Sequence, residues 1–319
     1  MRALALFLAL GAGLVQAQGQ TTPEALALLR KIHLATQKLS YTGTFVYQQG
    51  AQTETSRITR VADAAGGIEK LEALDGAPRE IVRTRDTVSC YLPDSRVVKI
   101  DRRDDARTFP ALLPDEFAEL AHYYVITRGE RGRVAGLDCD SVLLTPRDEL
   151  RYGHKLCADA ASGMLLKARV LDGRGEMVEQ FTFTQIAIGS VARDKVRSRH
   201  ASRNWRIEET AVAPANLAAS GWSITSDLPG FRKVVEVRRK LRASGSVGQV
   251  VYSDGLAAVS VFIEPLAASA EPVRAGLATL GAINIVTREV SNHRVTVVGE
   301  TPAASVQRLA ERVAFKRLP

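Results

Sequence analysis

Three cysteines are the residues of this chain best placed to bond covalently with one another. Cys139 and Cys157 flank Pro146-Arg147-Asp148-Glu149-Leu150, a polar turn between strand-like runs at 137–145 and 151–157. In a hairpin centred on Asp148 the two stand directly opposite, where Cα atoms lie about 4.5–5.5 Å apart. A disulfide spans that distance, and an oxidising compartment favours it over the alternative, two buried thiols. Cys90 is then left as a free thiol, read as a small core residue. The five histidines, His33, His122, His154, His200 and His293, are scattered, with none paired at i, i+4 and none in a zinc-type motif. There is no Gly-x-Ser-x-Gly elbow, no phosphate loop and no Cys-x-x-Cys. Asp104-Asp105 and Glu208-Glu209 are neighbours on turn-like segments, the pattern of solvated charge rather than of acid/base catalysis. No enzyme activity, metal or cofactor is expected.

The N-terminus sets the compartment in which these residues would act. Arg2 precedes an apolar run from Ala3 to Val15, and Val15-Gln16-Ala17 offers small residues at the −3 and −1 positions of a signal-peptidase site. Residues 1–17 therefore read as a secretory signal peptide, shorter than a membrane span and followed by polar Gln18-Gly19-Gln20. A soluble protein outside the cytoplasm is expected. The formal net charge of +8 would suggest nucleic acid in a cytoplasmic protein. Outside the cytoplasm, anionic lipid headgroups or an acidic protein are the better partners, and a plain solvated surface fits as well.

At 319 residues the chain exceeds the usual size of one compact core, so two domains are expected. Thr22-Pro23 reads as an N-cap with Pro at N1, opening an amphipathic helix over 23–39. Ala25, Leu28, Leu29, Ile32, Ala35 and Leu39 line its apolar stripe. Strands follow from Tyr41, whose first run puts Tyr41, Phe45 and Tyr47 on one face, and a second helix begins near Pro114. This describes an α+β protein whose first domain, residues 21–200, is an open, curved antiparallel sheet with helices on its concave face. Residues 201–220 read as a linker of small residues around Pro214. Residues 221–319 then form a smaller domain of strands closed by a helix that opens at Thr301-Pro302.

Seven segments, in order over both domains, together resemble one family. They are Tyr41-Thr42-Gly43-Thr44-Phe45-Val46-Tyr47, Glu72-Ala73-Leu74-Asp75-Gly76-Ala77-Pro78-Arg79-Glu80, Pro146-Arg147-Asp148-Glu149-Leu150-Arg151-Tyr152-Gly153, Ser162-Gly163-Met164-Leu165-Leu166-Lys167, Val251-Tyr252-Ser253-Asp254-Gly255-Leu256-Ala257, Val259-Ser260-Val261-Phe262-Ile263-Glu264-Pro265 and Val295-Thr296-Val297-Val298-Gly299-Glu300. The family is that of the periplasmic sigma-E stress regulators called RseB, or MucB in the alginate-controlling branch. The resemblance implies a half-open barrel similar to the lipoprotein carriers LolA and LolB, followed by a smaller α/β domain. It implies a protein that binds the periplasmic segment of a membrane-bound anti-sigma factor and shields it from regulated proteolysis. It further implies release by lipid or lipopolysaccharide. Self-association into a homo-oligomer stays open. The other reading is a periplasmic lipid or lipoprotein carrier without a signalling role, which would need no second domain.

Two sets of residues carry these expectations. The turn Tyr252-Ser253-Asp254-Gly255 joins two apolar strands and is expected to contact the protein partner, with a plain hairpin turn as the alternative. Tyr41, Phe45 and Tyr47 are expected to line a lipid cavity. Two helices cover about 20 Å of sheet at interaxial spacings of 8–10 Å, whereas seven strands at about 4.8 Å span over 30 Å.

Overall fold

The computed structural model describes residues 20–64, 66–102, 117–201, 204–241, 245–266 and 273–316. The expected signal peptide and the expected helix start at Pro114 lie outside the described residues. Helix α1 (Pro23–Lys38) begins where the Thr22 Oγ1 accepts a hydrogen bond from the Ala25 amide at 3.3 Å, with Pro23 in its first turn. Its stripe of Ala25, Leu28, Leu29, Ile32 and Ala35 is buried. A second short helix, α2 (Phe117–Tyr123), packs beside it.

Thirteen strands make the first sheet. In chain order they are β1 (Tyr41–Gln49), β2 (Gln52–Val61), β3 (Ile68–Ala73), β4 (Glu80–Arg83), β5 (Thr87–Leu92), β6 (Val97–Arg102), β7 (Tyr124–Arg128), β8 (Gly132–Val134), β9 (Leu137–Pro146), β10 (Gly153–Asp159), β11 (Leu165–Leu171), β12 (Met177–Ile188) and β13 (Arg206–Glu209). Their order across the sheet is β13-β6-β5-β4-β3-β2-β1-β12-β11-β10-β9-β7, with β8 paired to β9. The sheet does not close: β7 and β13 are its edges. The two helices pack chiefly on β7, β9 and β11, and the core between them gathers Tyr41, Phe45, Phe181, Phe183, Leu144 and Leu156.

The second sheet runs β14-β16-β17-β18-β21-β20-β19, from β14 (Ala211–Pro214), β16 (Arg232–Leu241), β17 (Gly245–Ser253), β18 (Ala258–Pro265), β19 (Gly276–Leu280), β20 (Ile283–Val290) and β21 (His293–Gly299). Helix α3 (Ala303–Glu311) buries Val306, Leu309 and Ala310 against β20 and β21. A two-stranded ribbon, β15 (Trp222–Ile224) with β22 (Val313–Phe315), completes this α+β domain.

Residues 201–220, expected as a linker, contribute a strand to each sheet. β13 pairs in parallel with β6, and β14 pairs with β16. The approach to β13 is also held down. The Arg199 Nε donates to Glu80 at 2.9 Å, Ser198 Oγ donates to the same carboxylate at 2.7 Å, and His200 stacks on Trp205 at 4.7 Å. The segment is basic because it covers a row of carboxylates, which holds the Glu80 carboxyl below its ordinary range through bonds from Arg199 and Ser198 despite burial.

The cysteine hairpin is present with a different register. Cys139 and Cys157 are disulfide-bonded with Cα atoms 5.5 Å apart, yet Cys157 stands opposite Ser141 and Cys139 opposite Asp159. The bond is thus diagonal. The turn is centred one residue later than the expected Asp148, because the Asp148 carboxylate accepts from the Leu150 amide at 3.0 Å and bends the chain there. Cys90 is a half-buried free thiol on β5. Non-reducing peptide mapping of exported protein should recover one 139–157 cross-link and one alkylatable thiol at Cys90. Two alkylated thiols at 139 and 157 would contradict the pairing.

Candidate functional site

The turn that bends at Asp148 delivers the largest fully buried side chain of the described residues, Arg151, to the boundary between the two domains. Its Nε donates to the Asp254 Oδ2 at 2.7 Å, its Nη1 to Asp148 and its Nη2 to the Pro229 carbonyl. The guanidinium is sandwiched between the rings of Tyr123 and Phe231, 4.5 and 4.9 Å from their centroids. Planar, permanently charged arginine suits such a site, because its faces stack on aromatics while its edge donates hydrogen bonds. Tyr124 adds an O–H bond to Asp254 Oδ2 at 3.4 Å, and burial pushes its phenol well up.

Asp254 is therefore shared. Its Oδ1 accepts from the Leu256 and Ala257 amides at 2.9 and 2.8 Å, closing the turn between β17 and β18. Its Oδ2 faces the first domain, and both side chains of the Arg151–Asp254 pair are 0 % exposed. Of the expected partner-contacting residues, Ser253 bonds the Ala257 carbonyl, Gly255 donates its amide to Ser253 and takes a φ of +96°, and Tyr252 donates to the Ile224 carbonyl. The structure places Asp254 of this turn in the junction, with its carboxylate buried against the first domain.

Further contacts flank this lock. Asn284 donates to the Tyr152 hydroxyl at 3.0 Å and to the Thr301 carbonyl at 2.8 Å, and Ser305 donates to the Leu150 carbonyl at 2.7 Å. Arg232 pairs with Glu119 at 2.8 Å and Arg239 with Asp101 at 3.1 Å. Gln49 donates to the Leu280 carbonyl at 3.0 Å. Gly230, at φ +78°, lies so close to Tyr123 that a Cβ would sit 2.4 Å from the ring. Gly230→Ala combines that clash with a left-handed backbone, and a loss of about 1–3 kcal/mol is expected in urea unfolding. A neutral result would mean the loop can withdraw from Tyr123 at no cost.

Tyr41, Phe45 and Tyr47 share one face of β1, and all three pack into the core of the first domain. Tyr41 and Phe45 are buried, edge-on to Phe183 at 6.3 and 5.8 Å, and Phe45 also meets Phe181 at 6.1 Å. Tyr47 is half-buried and hydrogen-bonded to Glu179, beside Glu300 of the second domain. Glu179 is pushed up to about 7, first by burial and then by Glu300, and burial raises Glu300 as well. His154 is driven down to about 4 by burial, which makes it a neutral core ring beside Tyr124. Sequence reasoning singled out neither Arg151 nor Glu179. A lone arginine between Leu150 and Tyr152 carries no periodic signal, and its use depends on Asp254 about a hundred residues away.

Among the described residues no three metal-binding side chains cluster, and no helix is long and apolar enough to cross a membrane. The arrangement is a held domain boundary. The MucB/RseB N-terminal domain description matches residues 24–208 and the C-terminal domain description residues 216–314. The sigma factor AlgU regulatory protein MucB of Pseudomonas aeruginosa is 31% identical over 320 residues, covering 97% of this chain and 96% of its own length. The sigma-E factor regulatory protein RseB of Escherichia coli K12 is 27% identical, covering 98% and 97%. The crystal structure of MucB with the periplasmic part of MucA superposes with a TM-score of 0.69 at 28% identity, over 92% of this chain and all of that one. A Pseudomonas aeruginosa MucA/MucB complex gives 0.72 at 27% over the same shares. The named relatives are regulatory proteins, not enzymes, and with both domain descriptions matched in order, this chain belongs to the MucB/RseB family.

Proposed function

We propose that this chain is a periplasmic negative regulator of a sigma-E-type envelope stress response. It binds the periplasmic segment of a membrane-bound anti-sigma factor, shields it from regulated proteolysis and lets go when a lipid or lipopolysaccharide signal arrives. The observation that carries this reading is the match over both domains to MucB, a protein solved with the periplasmic part of MucA. A carrier without a signalling role would have no use for a seven-stranded second domain tied to the first through Arg151 and Asp254.

In this reading the junction is the element that opens when the regulator lets go. A ligand shifts an equilibrium only by its difference in affinity for the two states. Near-complete switching from 1:99 to 99:1 needs about 5.5 kcal/mol. A buried acyl chain contributes about 0.8 kcal/mol per CH₂, so a dozen carbons offer ~10 kcal/mol gross, and about half of that, expressed as a difference between the two states, suffices. The helix-poor half of the sheet is the more accessible place for such a chain. Leu71, Ile81 and Cys90 stand in register across β3, β4 and β5, half-buried, on the face that carries Tyr41 and Phe45.

The test uses the mature chain and the periplasmic segment of the anti-sigma factor from the same genome. Calorimetry should give a defined complex, and the segment should resist its site-1 protease while bound. Acylated amphiphiles should weaken the complex, whereas their deacylated headgroups should not. Absence of a complex would overturn the regulatory reading. Equal competition by headgroups would overturn the acyl-chain release.

A further inference from the structure

The outer surface of the cysteine hairpin carries a group of cations that the domain junction does not use. Lys155 on β10 stands opposite Arg169 on β11, and Cys157 opposite Lys167, so all three basic side chains share one face with the disulfide. Arg131 and Arg133, around β8, lean over the same place and complete a depression of about 180 Å³ whose wall includes Cys157 and Ser141. Gly132 lies against the disulfide, with a Cβ position 3.6 Å from both sulfurs, which fixes β8 above the depression.

What sets these cations apart is that they gather around one recess. Some surface arginines are tied to carboxylates, as Arg128 and the rim residue Arg131 are to Asp140, Arg193 to Asp63 and Arg199 to Glu80. Lys155, Lys167, Arg133 and Arg169 form no ion pair with any described carboxylate. Arg169 gives its Nε to the Gln180 side chain at 3.2 Å and Arg133 its Nε to the Gly136 carbonyl at 3.2 Å, so both forks are oriented by neutral acceptors. One carboxylate, Glu130, lines the rim. The Lys167 ammonium is held below its ordinary range by burial and then by Arg169 and Lys155. Like charges gathered around a recess raise one another's energy, and a multiply charged anion relieves all of them at once. Phosphate suits this set best: guanidinium forks bind it bidentately and ammonium groups bind it as point charges.

We propose that Lys155, Lys167, Arg169 and Arg133 form a binding site for a phosphate-bearing ligand on the outer face of the disulfide hairpin. The site lies on the opposite sheet face from Tyr41 and Phe45, and it depends neither on an acyl chain entering the sheet nor on an anti-sigma partner. Its ligand is either a free phosphate compound or a phosphorylated lipid headgroup.

The experiment titrates the mature full-length chain with sodium pyrophosphate, and separately with neutral-detergent micelles with and without phosphatidic acid. The wild type is compared with K155Q/K167Q/R169Q and with the control K38Q/K195Q/K240Q, which removes the same charge from exposed positions elsewhere. Pyrophosphate or phosphatidate micelles should bind the wild type and the control alike. The site variant should bind at least tenfold more weakly, and added salt should weaken the wild type toward it. Tighter binding to phosphatidate micelles than to pyrophosphate identifies a lipid headgroup, and the reverse identifies a soluble phosphate. Unchanged melting of the site variant shows that the fold is intact. No binding by the wild type in either arm, equal losses in site variant and control, or no loss in the site variant each overturns the site. Loss of the anti-sigma complex with phosphate binding intact would instead reject the regulatory reading alone.

Discussion

Arg151→Met is expected to destabilise the mature protein by about 3–5 kcal/mol, the usual consequence of removing one member of a buried ion pair. The substitution keeps the aliphatic stem but ends about where Nε stood, so the loss combines the broken ion pair with removal of the guanidinium from between Tyr123 and Phe231. It leaves the 0 % exposed Asp254 carboxylate facing the first domain with Tyr124 as its remaining partner across the junction, and strands the Pro229 carbonyl. Asp254→Asn leaves the guanidinium one weaker acceptor and should lose less. In the double variant the two losses should not add, because each single change already breaks the shared bond. Urea unfolding followed by tryptophan fluorescence reads the effect, since Trp205 stacks on His200 in the first domain and Trp222 packs in the second. One transition in the wild type should become two in Arg151→Met as the domains cease to support each other. A loss below about 1 kcal/mol with a single transition retained would mean that the lock does not hold the domains together.

How much of this was legible in the residues depends on whether the signal is local. α1 could be read almost to the residue because its cap, its proline and its apolar stripe lie within sixteen positions. β1 begins at Tyr41, where alternation predicts the first strand. β3 escaped notice because Glu69, Lys70 and Glu72 give it the look of a surface segment, yet all three are buried. Lys70 pairs with Glu72 at 3.4 Å within the strand, while Glu69 is met by Arg83 of β4 at 2.8 Å and Glu72 by Arg199 of the covering segment at 3.3 Å. A strand whose polar residues are neutralised at a distance has no signature of its own. The same holds for β13 and β14, short and full of alanine and glutamate, which become strands only because β6 and β16 offer free edges. The disulfide could be foreseen because a hairpin is local, while its diagonal register depended on how Asp148 bends the turn. The junction was out of reach: Arg151 and Asp254 each look like ordinary turn residues until the fold sets them 2.7 Å apart.

The junction has a second end, and there acidification should tighten it. Glu179 on β12 meets Glu300 of the second domain, with the Tyr47 phenol donating to it and the Ala282 amide close by. Glu54, on the neighbouring strand, faces Tyr47 from the other side. No cation is among the groups acting on Glu179, and its Oε2 has no hydrogen-bond partner. Burial and the facing carboxylate therefore lift Glu179 from 4.5 to about 7. A carboxyl raised on folding binds its proton more tightly in the native state, so native stability falls as pH climbs from about 4.5 to about 7 and then levels off. The full shift would correspond to about 3 kcal/mol at 1.36 kcal/mol per unit. Partial exposure of the group reduces this to about 1–2 kcal/mol in solution. Glu179→Gln removes the charge and retains the shape, so it should match the wild type at pH 5 and exceed it in stability at pH 8. Glu300→Gln should act in the same direction by relieving the repulsion. Melting temperatures of the three proteins across that range read the difference, and an advantage of either variant that is as large at pH 5 as at pH 8 would show that the carboxyl pair does not couple the junction to protons.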